Sequence, residues 1–432
     1  MLKSKRFQVV LIGLVAFIGA FSWGNFDTKL TGATDLPGVE QASDLPSPPI
    51  PLQLVNPWLK WKTRDGTRAG YSLAAYKAGE VQYVIRHGVA DIETKTPITA
   101  DTRFRIASMT KPITAVAAMI LVERGLIDIE DPVSDYIPEF AEARVWTGPD
   151  SEPEALKRPV TIYSLLTFTA GIGSPNGASG RPELDEVWRD ALSPLTHTAP
   201  LEERVRTMAG LPLYNQPGED WHYASSLTVL ARVIEVATGK PFEEVLEEVI
   251  FEPLSMTSTG FMPPEGQRED IATLYTHNSD GKLTVRPDPD YTSKGRVSGD
   301  GRLISTLPDY ARFALMLANK GTYDGVEILQ SGSVEQMMTI RVIEGVLEDY
   351  GIEGVGWGYG LAIVPVGEEA TMPARTGDFF WAGVNGTHFW ISPEDDTVYI
   401  YMTQYRAPTG IDGRVRGAAI PYVTHAIVNQ SL

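Results

Sequence analysis

The sequence predicts an α/β (α+β) protein whose sheet is built from both ends of the folded chain, with an all-helical domain inserted between them. Two observations predict this arrangement. Strand-like segments occur near residues 71–89 and return only after residue 360. Between about residues 131 and 290 the apolar residues mostly follow helical spacing, and the connecting loops are rich in Pro and Gly. A cleft between two such units is a usual place for a small-molecule site.

The individual elements follow from local patterns. Residues 71–77 and 81–89 are predicted to form a hairpin around Ala78-Gly79-Glu80. A helix is predicted from Ser108 to Glu123, because strong helix formers fill it and Gly125 stands at its end. Later helices are predicted at residues 226–238, 242–250, 307–319 and 415–428, and later strands at residues 360–366, 386–391 and 397–403.

The chain is acidic and contains no cysteine. Its 432 residues include 55 Asp and Glu against 37 Lys and Arg, which gives a formal net charge of −18. This charge argues against nucleic acid or an anionic membrane as a partner. The lack of cysteine excludes disulfides and thiol chemistry, and no His-x-x-x-His pair suggests a metal site. The sequence therefore implies no metal and no cofactor.

The N-terminus predicts export. Within residues 1–22, three basic residues precede an apolar run over residues 9–21, and Ala20-Phe21-Ser22 offers a small-x-small cleavage site. The run is shorter than the roughly 20 residues of a spanning helix, although an uncleaved anchor is the alternative. Residues 23–57 predict an extended linker and residues 58–432 the folded domain. The mature chain is expected to be periplasmic or secreted, without a membrane span.

Ser108-Met109-Thr110-Lys111 carries the clearest chemical signal. In a helix, positions i and i+3 lie on one face, so the lysine amine can reach the serine hydroxyl. A Lys with a lowered pKa can take the serine proton, and the helix N-terminus favours developing negative charge. A Ser-x-x-Lys sequence also arises about once by chance in a chain of this length. The alternative is a capping serine with a solvated lysine.

A Ser/Lys nucleophile needs a second proton-transfer group and an oxyanion hole. Tyr223 in Trp221-His222-Tyr223-Ala224-Ser225 is the candidate for the first role, and a cationic lysine beside it would depress its pKa. Tyr291-Thr292-Ser293 has the same Tyr-x-Ser form, so the tripeptide does not decide between them. For the oxyanion hole, the small residues in segment 380–387 would let a ligand approach the backbone. A bulge or turn in a strand is the alternative there.

Taken together and in this order, these motifs resemble those of the serine β-lactamase-like hydrolases. That family includes class C β-lactamases, D-alanyl-D-alanine carboxypeptidases and family VIII carboxylesterases. Its first motif matches residues 104–111, its second matches residues 217–225, and its third, often Lys-Thr-Gly or Trp-Gly-Gly, resembles Trp381-Ala382-Gly383. Family-like stretches connect them from about residue 70 to 404. The resemblance implies a β-lactamase/transpeptidase-like fold, with an antiparallel sheet flanked by helices and an inserted all-helical domain.

The resemblance also implies a role for each residue. Ser108 would attack a carbonyl to form an acyl-enzyme, and Lys111 and Tyr223 would share the proton transfers. The backbone N–H groups of Ser108 and Val384 would bind the oxyanion. How Lys111 and Tyr223 divide the base role stays open. The residues expected to contact the substrate are Trp381, Ala382, Gly383 and Ser225.

Several departures from the family pattern bear on the substrate. Trp381 replaces the lysine of Lys-Thr-Gly and removes a cation that could pair with a substrate carboxylate. Ser225 replaces an asparagine that could hold a lactam side chain. Arg375-Thr376-Gly377 is superficially closer to Lys-Thr-Gly, but its spacing fits the family less well. Phe168-Thr169-Ala170-Gly171 stands where many relatives have His-Thr-Ser-Gly and is expected to be structural.

Together these features predict an exported serine hydrolase, most simply a carboxylesterase on small neutral esters. A β-lactamase or D-alanyl-D-alanine carboxypeptidase is the first alternative, and a catalytically silent binding protein of the same fold is the second. A Ser-His-Asp hydrolase is disfavoured, because no serine lies in Gly-x-Ser-x-Gly and the six histidines show no nucleophile partner. The expected partner is a small-molecule ester or amide.

Overall fold

The computed structural model describes residues 57, 59–64, 66–175, 181–195, 199–263, 270–287, 297–343, 345–347, 354–365 and 374–407. The predicted export signal, nearly all of the predicted linker, the predicted closing helix at 415–428 and Tyr291 lie outside these residues. Within them, no helix is long and apolar enough to cross a membrane.

The described strands and helices are numbered here in chain order. The strands are β1 Gly70–Lys77, β2 Glu80–Asp91, β3 Thr96–Pro97, β4 Phe104–Arg105, β5 Arg144–Val145, β6 Glu154–Ala155, β7 Tyr275–His277, β8 Leu283–Val285, β9 Ile304–Ser305, β10 Thr322–Tyr323, β11 Val326–Glu327, β12 Gly356–Trp357, β13 Ala362–Ile363, β14 Phe379–Ala382, β15 His388–Ser392 and β16 Thr397–Thr403. The α-helices are α1 Thr110–Glu123, α2 Ile162–Leu166, α3 Pro182–Leu192, α4 Leu201–Ala209, α5 Ser226–Thr238, α6 Phe242–Leu246, α7 Leu307–Ala318 and α8 Ser331–Met337.

One antiparallel sheet joins the two ends of the folded chain. It has eight strands in the order β12-β13-β14-β15-β16-β1-β2-β3. Strand β1 pairs with β16 from Tyr71 opposite Thr403 to Lys77 opposite Thr397. Nearly every residue of both strands is buried, as expected for the centre of a sheet that is covered on both faces. The predicted antiparallel sheet built from both chain ends is therefore confirmed.

The predicted hairpin between β1 and β2 has the expected turn. Ala78 and Gly79 both have positive φ, at 52° and 76°. Two consecutive residues of that kind form the tight turn whose twist matches the twist of paired strands. The pairing of Lys77 with Glu80 next to the turn is thus set by the local sequence.

Helix α1 is buried almost all round. Every residue from Thr110 to Leu121 is buried, so this helix lies in the centre of the protein rather than on its surface. Helix α7 connects it to the sheet: the Tyr310 hydroxyl donates to the Met109 carbonyl at 3.0 Å, and the Tyr310 ring lies 5.4 Å from that of Phe389 on β15. Gly125, with φ of 66°, follows the end of α1 as predicted.

Some elements differ from their predictions. The segment after residue 131 is mainly helical, but it also contains the short strand pairs β5–β6 and β7–β8. The predicted helix at 242–250 consists of α6 followed by a wider π-turn at Glu247–Phe251, where the Glu252 N–H donates five residues back to the Glu247 carbonyl. In the predicted strand at 360–366, the regular strand is limited to Ala362–Ile363 among the described residues. Gly360 turns the chain before it with φ of 75°, and Val364 after it still exchanges backbone hydrogen bonds with Gly377 and Asp378.

His388 on β15 is fully buried on the sheet face opposite α7. Its ring lies about 6 Å from the rings of Phe380, Trp390 and Tyr399, at 6.2, 5.9 and 5.9 Å. Burial lowers the pKa of His388 from 6.5 to about 3. The folded protein therefore holds this imidazole neutral at a pH where an unfolded chain would protonate it.

We predict that His388→Phe makes stability less dependent on pH in the acid range. Below about pH 6.5 His388 binds a proton in the unfolded wild type but stays neutral in the folded protein. The free energy of unfolding therefore falls by roughly 1.4 kcal/mol for each pH unit below that value. Urea unfolding at pH 7.5 and pH 5.5 should show the wild type losing about 1 kcal/mol more than the variant. Equal losses in the two proteins would contradict the prediction.

Candidate active site

Ser108 lies where a short 3-10 helix, Ala107–Met109, runs into α1. In a 3-10 turn, side chains at i and i+3 are nearly eclipsed. The Lys111 Nζ accordingly lies 3.3 Å from the Ser108 Oγ, to which it donates. Ala107 has φ of 47°, a left-handed conformation that is uncommon for a residue with a Cβ. The backbone is therefore held under local strain next to the serine.

Lys111 is buried, with 3% of its surface exposed. Besides Ser108, its Nζ donates to the Asp300 carbonyl at 2.7 Å and lies 3.7 Å from the Asp300 Oδ1. The ammonium also lies 4.6 Å from the centre of the Tyr223 ring. A buried cation is stable only when it has such partners. The solvated lysine of the alternative interpretation is not what the structure shows.

Tyr223 stands on the other side of Ser108. Its hydroxyl is hydrogen-bonded to Ser108 and accepts the Trp381 Nε1–H at 3.2 Å. Burial raises the pKa of Tyr223, and the bonds from Ser108 and Trp381 offset this only in part. The expectation of a depressed pKa is wrong, because Lys111 lies over the face of the ring and burial outweighs the other effects. Tyr223 is a neutral phenol at neutral pH.

Four aromatic residues, Phe168, Trp221, Trp357 and Trp381, surround the Tyr223 ring and form what we call the aromatic wall. Their ring centres lie 5.2, 5.8, 6.1 and 5.2 Å from that of Tyr223, and Trp357 and Trp381 lie 4.6 Å from each other. Phe168 is fully buried with φ of 59°. Its loop is structural, as expected, but it also forms one side of the wall.

Strand β14 brings the small-residue segment to the nucleophile. Gly383 lies so close to the chain that a Cβ there would stand 2.3 Å from the Ile106 carbonyl oxygen. The Thr387 Oγ1 donates to the same oxygen at 3.1 Å. The residue that follows β14, Gly383, thus packs against the backbone of Ile106, two residues before Ser108. Val384 comes next, with half of its surface exposed. The Ser108 N–H lies in the first turn of its helix, where amides lack intrahelical partners.

The remaining sequence candidates are placed as follows. Ser225 is buried at the N-cap position of α5, two residues after Tyr223. Arg375 lies at the opposite end of β14 from Trp381, where its Nε is 2.6 Å from the Asp395 Oδ2. A second Ser-x-x-Lys sequence, residues 279–282, lies in the exposed turn between β7 and β8. Of the competing motifs that lie in the described part of the chain, only Ser108 to Lys111 and Trp381 adjoin Tyr223.

Sequence reasoning missed three residues that contact this site: Phe168, Trp357 and Asp300. Phe168 and Asp300 lie in loops without periodicity, and Trp357 lies on a two-residue strand. Their proximity to Tyr223 and Lys111 depends on contacts between distant segments. The one feature of the sequence that could have pointed to these three residues is their type, since large aromatics and buried carboxylates are common at binding sites.

A model of the Beta-lactamase family matches residues 55–420, most of the chain. The chain belongs to the Beta-lactamase family. Esterase EstB from Burkholderia gladioli is 31% identical over 371 residues, which covers 81% of this chain and 89% of that protein. Penicillin-binding protein 4 from Amycolatopsis lactamdurans is 28% identical over 301 residues, or 68% of this chain and 71% of that protein.

Solved structures share the fold of this Beta-lactamase family member. EstCE1, described as a hydrolase with promiscuous acyltransferase activity, superposes with a TM-score of 0.74 at 23% identity, covering 88% of this chain and 98% of that one. At that identity the likeness shows the fold alone. The match to the family and the similarity to an esterase show that this protein is a serine hydrolase.

We predict that Trp381→Phe slows covalent labelling of Ser108 by a fluorophosphonate about fivefold. The change keeps an aromatic ring in the wall but removes the N–H that Tyr223 accepts, a bond worth roughly 1 kcal/mol. The measurement is the second-order rate of labelling at neutral pH.

Trp390→Phe is the matched control for this prediction. The Trp390 Nε1 also donates inside the protein, to the Asp378 Oδ2 at 2.9 Å, but its ring stacks on Phe380 on the opposite face of the sheet. Its labelling rate should equal that of the wild type. Equal rates for Trp381→Phe and the wild type would show that the indole N–H is dispensable.

Proposed function

We propose that the protein is an exported carboxylesterase that hydrolyses small neutral esters through an acyl-enzyme on Ser108. The observation that carries this proposal is the contact between Trp381 and Tyr223. At the position where relatives with Lys-Thr-Gly place a cation, this chain places an indole whose N–H is already bonded to the Tyr223 hydroxyl. A substrate carboxylate would find no charged partner there.

Acylation follows from the arrangement around Ser108. The Ser108 Oγ bonds to the ester carbonyl carbon, and its proton passes to the Lys111 Nζ, which acts as the base in the amine form left when the ammonium has released one proton to solvent. The Tyr223 phenol keeps its own proton during this step. The carbonyl oxygen becomes an oxyanion facing the N–H groups of Ser108 and Val384. The C–O bond to the alcohol then breaks, and the pair returns the proton to the departing alkoxide. The raised pKa of Tyr223 suits this step, since the phenol keeps a proton to donate.

Deacylation repeats the same steps with water. The water oxygen attacks the acyl carbon while a water proton passes to the Lys111–Tyr223 pair. When the bond to Ser108 breaks, that proton returns to the Oγ and the acid leaves. Lys111 and Tyr223 thus end each cycle in their starting protonation states. The aromatic wall limits the water that can reach Ser108 and provides an apolar surface for the ester.

A neutral substrate is supported by where the nearby charge lies. Arg375, the other cation considered, is paired with Asp395 at the far end of β14. The named activity of EstB, a relative at 31% identity, agrees with an ester substrate. Ser225 and the indole of Trp381 leave the site with neutral groups where a β-lactam carboxylate and amide would need charged or amide partners.

We expect purified protein to hydrolyse p-nitrophenyl acetate and butyrate, with kcat/KM at least about 100-fold higher than for nitrocefin, a chromogenic β-lactam. The neutral surroundings of Trp381 supply the reason. The measurement is a pair of steady-state assays on one preparation. A preference for nitrocefin would refute the ester assignment in favour of a β-lactamase.

Ser108→Ala should lower ester hydrolysis by about a thousandfold or more and abolish fluorophosphonate labelling, because the nucleophile is gone. Ser331→Ala, at an exposed serine at the start of α8, is the control and should leave both unchanged. Ester hydrolysis that survives Ser108→Ala would overturn the assignment of the nucleophile. An absence of labelling in the wild type would favour a silent binding protein.

Export is tested separately. Full-length protein expressed in a Gram-negative host should be recovered from the periplasm with Trp23 or a nearby residue at its N-terminus, as intact mass would show. Recovery in the cytoplasm with residues 1–22 intact would contradict the export proposal and leave the esterase proposal untouched.

A further inference from the structure

A short loop, residues 298–301, lies between α1, which carries Lys111, and α5, which begins three residues after Tyr223. Its backbone is wedged against both. The Thr114 Oγ1 on α1 donates to the Gly299 carbonyl at 2.8 Å. A Cβ on Gly299 would stand 1.9 Å from the Leu227 carbonyl oxygen on α5, so only glycine fits this approach. The loop therefore fixes α1 and α5 relative to each other.

The Asp300 carboxylate caps helix α5. It accepts the N–H groups of Leu227 and Thr228 at 3.3 and 3.0 Å, and it also accepts a short hydrogen bond from the Thr228 Oγ1. Ser225, at the N-cap position of the same helix, makes no side-chain cap bond. A residue from a distant loop thus fills the capping role at the N-terminus of the helix that follows Tyr223.

The same residue binds Lys111. The Lys111 Nζ donates to the Asp300 carbonyl at 2.7 Å and lies 3.7 Å from the Asp300 Oδ1. Asp300 therefore binds the Lys111 amine through its backbone carbonyl and the N-terminus of α5 through its carboxylate. Both groups that share a proton with Ser108 depend on it for their position.

Capping alone does not account for an aspartate here. Burial raises the pKa of Asp300, because removing the ionised carboxylate from water is unfavourable. The charge of Lys111 and the hydrogen bonds from Thr228 act in the opposite direction and lower the pKa. A neutral Asn would cap a helix about as well without a buried charge. The positive charges near the carboxylate are Lys111 and Arg204, with Arg302 close to Arg204. Of these, Lys111 is the one at ion-pair distance.

We propose that Asp300 is a positioning residue for acyl transfer. Its charged carboxylate holds Lys111 against Ser108 and stabilises the ammonium that forms when the lysine takes the serine proton, while its cap on α5 holds Tyr223 on the other side. The inference rests on the proposed function and extends it to a residue that does not touch the substrate. The charge on Asp300 thus has a role in catalysis apart from its role in stability.

The test compares Asp300→Asn with Asp309→Asn. Asn keeps an oxygen that can accept the α5 amides but removes the charge. Asp309 is a matched control: it is a buried carboxylate that accepts the Ser258 N–H at 2.8 Å and the Thr259 Oγ1 at 2.9 Å, and its ion pair is with Arg312 rather than Lys111. Burial raises its pKa as it does that of Asp300.

For Asp300→Asn we expect kcat on p-nitrophenyl butyrate to fall about 30-fold with KM within about twofold of the wild type. The rate of fluorophosphonate labelling should fall by a similar factor. Asp309→Asn should keep the wild-type kcat and labelling rate, although both variants lower the melting temperature. All rates are measured at least about 20 °C below the lower melting temperature, so that loss of folded protein does not contribute.

Two outcomes would overturn the proposal. Wild-type kcat and labelling in Asp300→Asn would show that the charge is not used. Equal losses in both variants would show that a general loosening of the fold is responsible. The proposed function fails in a different way: a wild type that is labelled but hydrolyses no ester refutes the esterase, while the labelling rates of the two variants still decide the role of Asp300.

Discussion

The buried ammonium of Lys111 is the interaction on which the rest of the site depends. A cation with 3% exposure requires acceptors on several sides, and here they come from three parts of the chain. Ser108 lies one turn back on the same helix, Asp300 comes from the loop against α5, and Tyr223 presents its ring face. Satisfying this single charge therefore requires α1, α5 and the loop between them to pack in one way.

The sheet completes the site from the opposite side. Strand β14 passes the chain at Ile106 with Gly383 in backbone contact, and its Trp381 bonds to Tyr223. Trp381 on β14 bonds to the phenol, and Val384, which would supply an oxyanion N–H, follows two residues after the end of the same strand. A change in the pairing of β14 would displace both the Val384 N–H and the Trp381 indole. The geometry of the site therefore depends on the register of this strand.

The sequence predicted what depends on local spacing and on motif order. The contact of Ser108 with Lys111 follows from their separation of three residues, and the β1–β2 hairpin follows from Ala78-Gly79-Glu80. The family motifs placed Tyr223 and Trp381 in one site. Asp300, Phe168 and Trp357 were missed because their contacts join segments far apart in the chain. The pKa of Tyr223 was predicted in the wrong direction because burial, which raises it, cannot be read from neighbouring residues.

The pairing of Tyr71 with Thr403 also has a consequence for biosynthesis. The pair of β1 and β16 cannot form until the chain has been synthesised through Thr403, more than 300 residues after β1. Folding that depends on such non-local contacts is slower than folding through local contacts. The buried residues of β1 therefore stay without their β16 partners until the chain has been synthesised as far as β16.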